Sequence, residues 1–217
     1  MAKQEIKQEQ ALNVEEAVSR SEAFINKNKK AIVAAVVALL VIIGGSVVLS
    51  TFVIAPREQK AAEALFMGEK YFQNGDYETA IVEFESVMAD HKGTKAANLA
   101  KAYTGISNAK LGNYEEAIPM LKAFKGNDAM VAPSVLAALG NCYAQVGDEA
   151  QAAAALVKAA SKADNNLLSP AYLIQAGQIY EKLGKNADAL KVYTEIKTKY
   201  YGSMQAMDID KYIERVK

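Results

Sequence analysis

Hydrophobic and polar positions follow two different regimes along this chain. Residues 31–54 read AIVAAVVALLVIIGGSVVLSTFVI, 24 residues without a charge. Beyond residue 57, apolar residues return every three or four positions, as they do on one face of a helix. As a helix, the first stretch would be about 36 Å long at about 1.5 Å per residue. A bilayer core is about 30 Å thick, so the stretch can cross it with some tilt. A buried helix of a soluble protein would carry a polar stripe at that length. A cleaved signal peptide has a shorter apolar run close to the N-terminus. Here thirty residues precede the run, and no small-residue cleavage site or lipoprotein cysteine follows it. The expectation is an uncleaved transmembrane helix over 31–54, in contact with the lipid bilayer.

Charge at the flanks sets the expected orientation. Lys27, Lys29 and Lys30 directly precede the span, with Arg20 further back, whereas only Arg57 and Lys60 follow it closely. The positive-inside rule then puts the N-terminus in the cytoplasm and residues 57–217 outside it. Within the span, Ala34, Ala38, Ser46 and Ser50 recur at multiples of four, a spacing compatible with self-association. Before the span, residues 1–12 are rich in Gln, Lys and Glu and read as disordered. Asn13 and Glu16 have capping-box spacing, which predicts a short amphipathic helix within the 1–30 tail.

The region after the span is repetitive. Gly68, Gly105, Gly140 and Gly177 are spaced 37, 35 and 37 residues apart. Gly75, Gly112, Gly147 and Gly184 keep the same register, as do Ala80, Ala117, Ala152 and Ala189. Each unit reads as a helix, a turn and an antiparallel helix. The first glycine lies where two helices cross and their backbones approach, with the repeated Ala opposite it. The second glycine ends the first helix in a left-handed conformation. Asp76, Asn113 and Asp148 then stand as N-caps, and Asn113 with Glu116 and Asp148 with Gln151 have capping-box spacing. Bulky positions such as Met67, Tyr71, Phe84, Leu121, Leu156, Tyr193 and Ile196 fill the core. Pro119 should bend or weaken its helix. After Gly202 a final helix over 204–217 covers the open end, with Ala206, Ile209 and Ile213 inward and Lys211 and Arg215 toward water.

The segments MGEKYFQNGDYETAIVEF, TGISNAKLGNYEEAIPML, LGNCYAQVGDEAQAAAAL and AGQIYEKLGKNADALKVY carry a resemblance to the tetratricopeptide repeat family. It extends over residues 61–202. Two features depart from the family pattern. Its bulky first-helix position is held by Ala64, Lys101, Leu136 and Leu173, and the closing Pro is missing from every copy. The expected fold is all-α: an N-terminal transmembrane helix, then a right-handed α-solenoid of about four helical hairpins with a C-terminal capping helix. The hairpins are placed at about 61–94, 98–131, 133–166 and 170–203.

Such a stack works through the concave face lined by its first helices. By register the candidate partner-binding residues are Leu65, Glu69, Phe72, Leu99, Tyr103, Ile106, Asn141, Gln145, Ile174 and Gln178, beside Ala102, Lys110 and Lys182. Some family members clamp a C-terminal carboxylate with Lys, Asn and Arg. The matching positions here are Leu65, Glu69, Ala102, Tyr103, Ser134 and Ala138, which do not supply that clamp. The groove is mixed, apolar and amide-rich, suited to an extended or helical segment of a partner protein.

Composition removes other classes. Lys+Arg and Asp+Glu both number 25, and neither side of the span carries a basic arm, so no nucleic-acid footprint is expected. One cysteine, Cys142, and one histidine, His91, leave no intramolecular disulfide and no metal site of several Cys or His ligands. No catalytic constellation or cofactor motif stands out, and the chain does not read as an enzyme.

The layout also resembles a narrower family, membrane-anchored periplasmic tetratricopeptide-like proteins that include the ancillary subunit of the Sec translocon. VEEAVSRSEAFINKNKKAI is similar to that family's segment before the span. The resemblance implies a single-pass protein of the bacterial inner membrane with a periplasmic C-terminal domain. Its implied partners are the translocon, periplasmic chaperones and exported clients. A general cell-envelope scaffold, serving division or outer-membrane assembly, is the alternative.

Overall fold

The computed structural model describes residues 2–217, with side chains for Arg20 and from Phe24 onward. Two compact units divide the chain, Met1–Pro56 and Arg57–Lys217. Among the described residues the structure is all-helical.

The first unit is built on α1 (Ala2–Leu49), followed by a π-helical segment over Ser50–Ile54. Its backbone is already helical at Ala2, so neither a disordered stretch before residue 13 nor a helix start at Asn13 is formed. The Gln, Lys and Glu of that stretch are good helix formers and extend the helix backward. The side chains of Asn13 and Glu16 lie outside the described residues. Through the apolar run the large side chains are open, with Val41 68% and Ile42 67% exposed. This is one helix long and apolar enough to cross a membrane, and it is not a core helix. The Ser46 hydroxyl donates to Ile43 O at 2.7 Å, so this polar group is satisfied by the helix's own backbone.

The second unit is a tetratricopeptide-like solenoid. Its hairpins pair α2 (Ala55–Gln73) with α3 (Tyr77–Asp90), α4 (Lys95–Leu111) with α5 (Tyr114–Ala123), α6 (Val131–Gln145) with α7 (Glu149–Ala163), and α8 (Ser169–Lys182) with α9 (Asn186–Lys199). A 3-10 turn over Met204–Asp208 leads into α10 (Ile209–Arg215). Gly75, Gly112, Gly147 and Gly184 close the first helices with φ between +68° and +85°, a left-handed conformation that costs glycine little.

What occupies the helix crossings differs from expectation. The four crossing glycines each face a bulky residue sixteen positions on. A Cβ at Gly68, Gly105, Gly140 or Gly177 would lie 2.5, 2.6, 2.9 or 2.3 Å from Phe84, Leu121, Leu156 or Tyr193. The repeated alanines Ala80, Ala117, Ala152 and Ala189 sit one turn earlier and are fully buried. The glycine therefore makes room for a large side chain, while the alanine keeps the adjacent turn close.

Capping is also selective. Asp76 accepts from Thr79 N and Asp148 from Gln151 N, as expected. Asn113 makes no side-chain cap, so the Asn113–Glu116 box is not formed. Thr94, a cap not expected from the repeat pattern, accepts from Ala97 N at 3.1 Å at the start of α4. Met67 is 44% exposed and is not core. Ala61, Leu65 and Gly68 form the buried stripe of α2, and their spacing turns Met67 outward.

At the far end, Ile209 and Ile213 join Leu173, Val192, Tyr193 and Ile196 in the last core cluster. Arg215 is not simply solvated. It donates to both Glu181 carboxylate oxygens at 2.6 and 2.7 Å and lies 4.9 Å from the Tyr212 ring. The capping helix is thereby tied to α8.

Candidate functional site

The first-helix residues singled out by register fall into two sets. Leu65, Phe72, Leu99 and Tyr103 belong to one packed cluster with Phe84. Leu65 is 6% exposed and is part of the core rather than of a binding surface, because it lies on the inward stripe of α2. Ala102, on α4, is 2% exposed and belongs to the second core cluster. Tyr103 stacks on Phe84 with centroids 5.0 Å apart and meets Phe72 edge-on at 5.1 Å, so α4 is locked to both helices of the first hairpin. Burial, the nearby Glu69 charge and a hydrogen bond from its hydroxyl to Glu69 push the Tyr103 pKa up to about 12.

Ile106 and Ile174 are half-buried and pack into the second and last clusters. Asn141, Gln145 and Gln178 are exposed. The first helices thus present half-buried aromatic and aliphatic groups near one end of the stack and open amides further along. This arrangement can hold extended polypeptide through apolar contacts and main-chain hydrogen bonds.

Cys142 is 1% exposed, and burial pushes its thiol pKa up, away from the reactive thiolate. His91 ends α3, and its backbone N–H donates to Val87 O. Among the described residues, no group of three His, Cys, Asp or Glu side chains is placed to hold a metal ion.

Sequence reasoning missed a second feature. A trough of about 840 Å³ opens between α5, α6 and α7, lined by Lys122, Lys125, Lys158 and Lys162. None of the ten first-helix candidates lines it. The signal was present in the i, i+3 and i, i+4 spacing of those lysines beside Pro119, but their convergence across two hairpins is tertiary.

One tetratricopeptide repeat model matches residues 67–129 and a second matches residues 171–203. The repeat unit carries tetratricopeptide repeats. No curated protein matches it by sequence. Among solved structures it is similar to a tetratricopeptide repeat protein from Parabacteroides merdae ATCC 43184, with TM-score 0.59 and 15% identity over 73% of this chain and 60% of that one. This tetratricopeptide repeat chain therefore spans about 60% of that structure's length. It is also similar to a putative kinesin light chain from Podosopora anserina with nearly identical TPR-like repeats, with TM-score 0.54 and 14% identity, covering 73% and 86% of the two chains. The MamA protein matches with TM-score 0.53 and 19% identity, covering 72% and 89%. At these identities the likeness is one of fold. Tetratricopeptide repeats indicate a protein–protein interaction module, and the fold is typically a non-enzymatic scaffold.

Proposed function

We propose that the chain is a membrane-anchored interaction module whose repeat unit lies outside the cytoplasm and assists protein export or periplasmic chaperoning near the Sec translocon. The observation that carries the anchor is the uncharged run over 31–54 with its large apolar side chains exposed, since water would penalise that surface and lipid would not. Lys27, Lys29 and Lys30 before the run support a cytoplasmic N-terminus. The open amides Asn141, Gln145 and Gln178 beside half-buried Ile106 and Ile174 support capture of polypeptide. The segment VEEAVSRSEAFINKNKKAI supports the translocon family among membrane-anchored repeat proteins.

Two measurements test this reading. A C-terminal alkaline phosphatase fusion should be active, and inactivity would reverse the topology. A photo-crosslinking residue at Gln145 in living cells should give adducts with translocon subunits, chaperones or exported clients. Adducts confined to division or outer-membrane assembly proteins would replace the export role with that of an envelope scaffold.

A further inference from the structure

The trough beside α5 is a built feature. α5 is ten residues long, whereas α3, α7 and α9 have 14, 15 and 14. Pro119 lies inside it, and the helix stops at Ala123, where Phe124 turns extended with ψ 135°. α5 is therefore about one turn shorter than its counterparts, and a recess remains beside it.

Residues 124–130 are held in place along its edge. The Asn98 side chain donates to Lys125 O at 2.6 Å and accepts from Lys125 N at 3.0 Å. Asp128 Oδ1 accepts from the backbone N–H groups of Met130 and Val131. Lys162 Nζ, from α7, donates to Asn127 Oδ1 at 2.8 Å. A Cβ at Gly126 would meet the Phe124 ring at 2.4 Å, so the ring folds back over its own loop only because glycine stands there.

The recess has an apolar floor and a cationic rim. Buried faces of Leu121, Val135, Leu139 and Tyr143 form the floor. Lys122, Lys125, Lys158 and Lys162 surround it, and no Asp or Glu lines it. Among the described residues, none of these four lysines pairs with a carboxylate, although Lys182, Lys197, Lys199, Lys211 and Lys217 do. In a chain with no net charge, this is a local concentration of four unneutralised cations over an apolar surface.

The geometry points to a second polypeptide-binding site, on α5, α6 and α7, that takes an acidic amphipathic segment of a partner protein. Its apolar side chains would occupy the floor and its Asp or Glu side chains would meet the four lysines. The charge complement excludes a basic segment, and the apolar floor selects against a purely polar acidic one. A flat anionic bilayer could reach the lysines but not the recessed floor, which favours a peptide. The site is distinct from the ten first-helix candidates, none of which lines it.

The test uses the full chain in a neutral detergent, with a benzophenone residue at the exposed Ala154 of the trough lining. The probe is a labelled 16-residue helix with Leu on one face and Glu on the other. Crosslinking should exceed that of the same peptide with every Glu replaced by Lys, or every Leu by Ser, by about tenfold. Lys122→Glu with Lys158→Glu should lower the yield by a similar factor, while Lys191→Glu on α9 leaves it unchanged. Lys122, Lys158 and Lys191 are all exposed, so these variants should fold, which circular dichroism checks. Equal yields for acidic and basic peptides, or for the double variant and the parent, would overturn the proposal. So would lysine-dependent binding to phosphatidylglycerol vesicles without any peptide adduct. Because the Gln145 crosslinks report on a residue outside the trough lining, failure here is distinguishable from failure of the export reading.

Discussion

Gly177 lies against the ring of Tyr193, where an added Cβ would come within 2.3 Å of Cε1 and 2.8 Å of the hydroxyl oxygen. Tyr193 is fully buried and donates to Glu181 Oε1 at 2.5 Å, so its ring has little freedom to withdraw. Gly177→Ala is therefore expected to destabilise the repeat unit by about 1–3 kcal/mol, as overpacking does. At Gly140 the same Cβ would meet Leu156 Cγ at 2.9 Å and the Ala152 carbonyl oxygen at 3.1 Å, a smaller overlap than the one at Gly177. Chemical denaturation followed by circular dichroism should rank Gly177→Ala as the more damaging change.

Gly112 isolates the backbone contribution. Its φ is +85°, and nothing lies within 4 Å of a Cβ built there. Gly112→Ala should cost about 1 kcal/mol from left-handed strain alone. Gly112→Asn should recover part of that loss, because Asn tolerates this region better. A thermal melt of the two variants beside the parent decides it; equal midpoints would remove the conformational explanation.

Acid should weaken the C-terminal cap. The hydrogen bond from Arg215 holds the Glu181 carboxyl below its ordinary value; burial opposes this, while the Tyr193 hydroxyl and the Arg215 charge assist it. A depressed folded-state pKa gives stability that is present above the unfolded-state value and lost as pH falls through the folded one. Stability should therefore fall as pH drops below the ordinary carboxylate range. Glu181→Gln should flatten that part of the profile and cost about 1 kcal/mol at neutral pH, a figure discounted because Arg215 is 53% exposed.

Alkali should act at Tyr103 as well as at Tyr180 and Tyr193, whose pKa burial also raises. The Tyr103 pKa is raised from 10.0 to about 12, first by burial and then by Glu69. A raised pKa gives stability that is complete below the unfolded value and lost as pH climbs toward the folded one. Unfolding should thus become easier between about pH 10 and pH 12. Tyr103→Phe keeps the ring contacts with Phe72 and Phe84 but should remove this component. The difference between the phenolate titrations of the parent and of Tyr103→Phe gives the share that belongs to Tyr103, since Tyr180 and Tyr193 are also raised.

Asn98 should control the trough's edge. Asn98→Ala removes both hydrogen bonds to the Lys125 backbone, at a cost of about 1–2 kcal/mol. Limited proteolysis should then cut between residues 124 and 130 much faster than in the parent. Unchanged cleavage would mean that Asp128 and Lys162 suffice to hold the segment.

Much of the fold could be read directly because it depends on local chemistry. Gly75, Gly112, Gly147 and Gly184 announce turns, since a left-handed residue is needed to end each first helix. The partners of the crossing glycines were less accessible. Spacing shows that Gly68 and Ala80 repeat together, but which side chain enters the gap depends on how two helices rotate about their axes. That rotation places Phe84 there. Asn113 has the right identity and spacing for a cap yet makes no side-chain cap bond, while Thr94 does.

By itself the sequence determined the membrane-length apolar helix, the hairpin period, the turns and the repeat type, because each follows from periodicity and from the steric needs of single residues. Only the tertiary structure decided that Leu65 is core, that Tyr103 locks the first two hairpins together, that Arg215 clamps Glu181, and that four lysines converge on a recess beside α5. The reason is physical. Charges and surfaces from different hairpins share no local pattern along the chain. They meet only when helix rotation and helix length, here cut short after Pro119, fix which faces remain open.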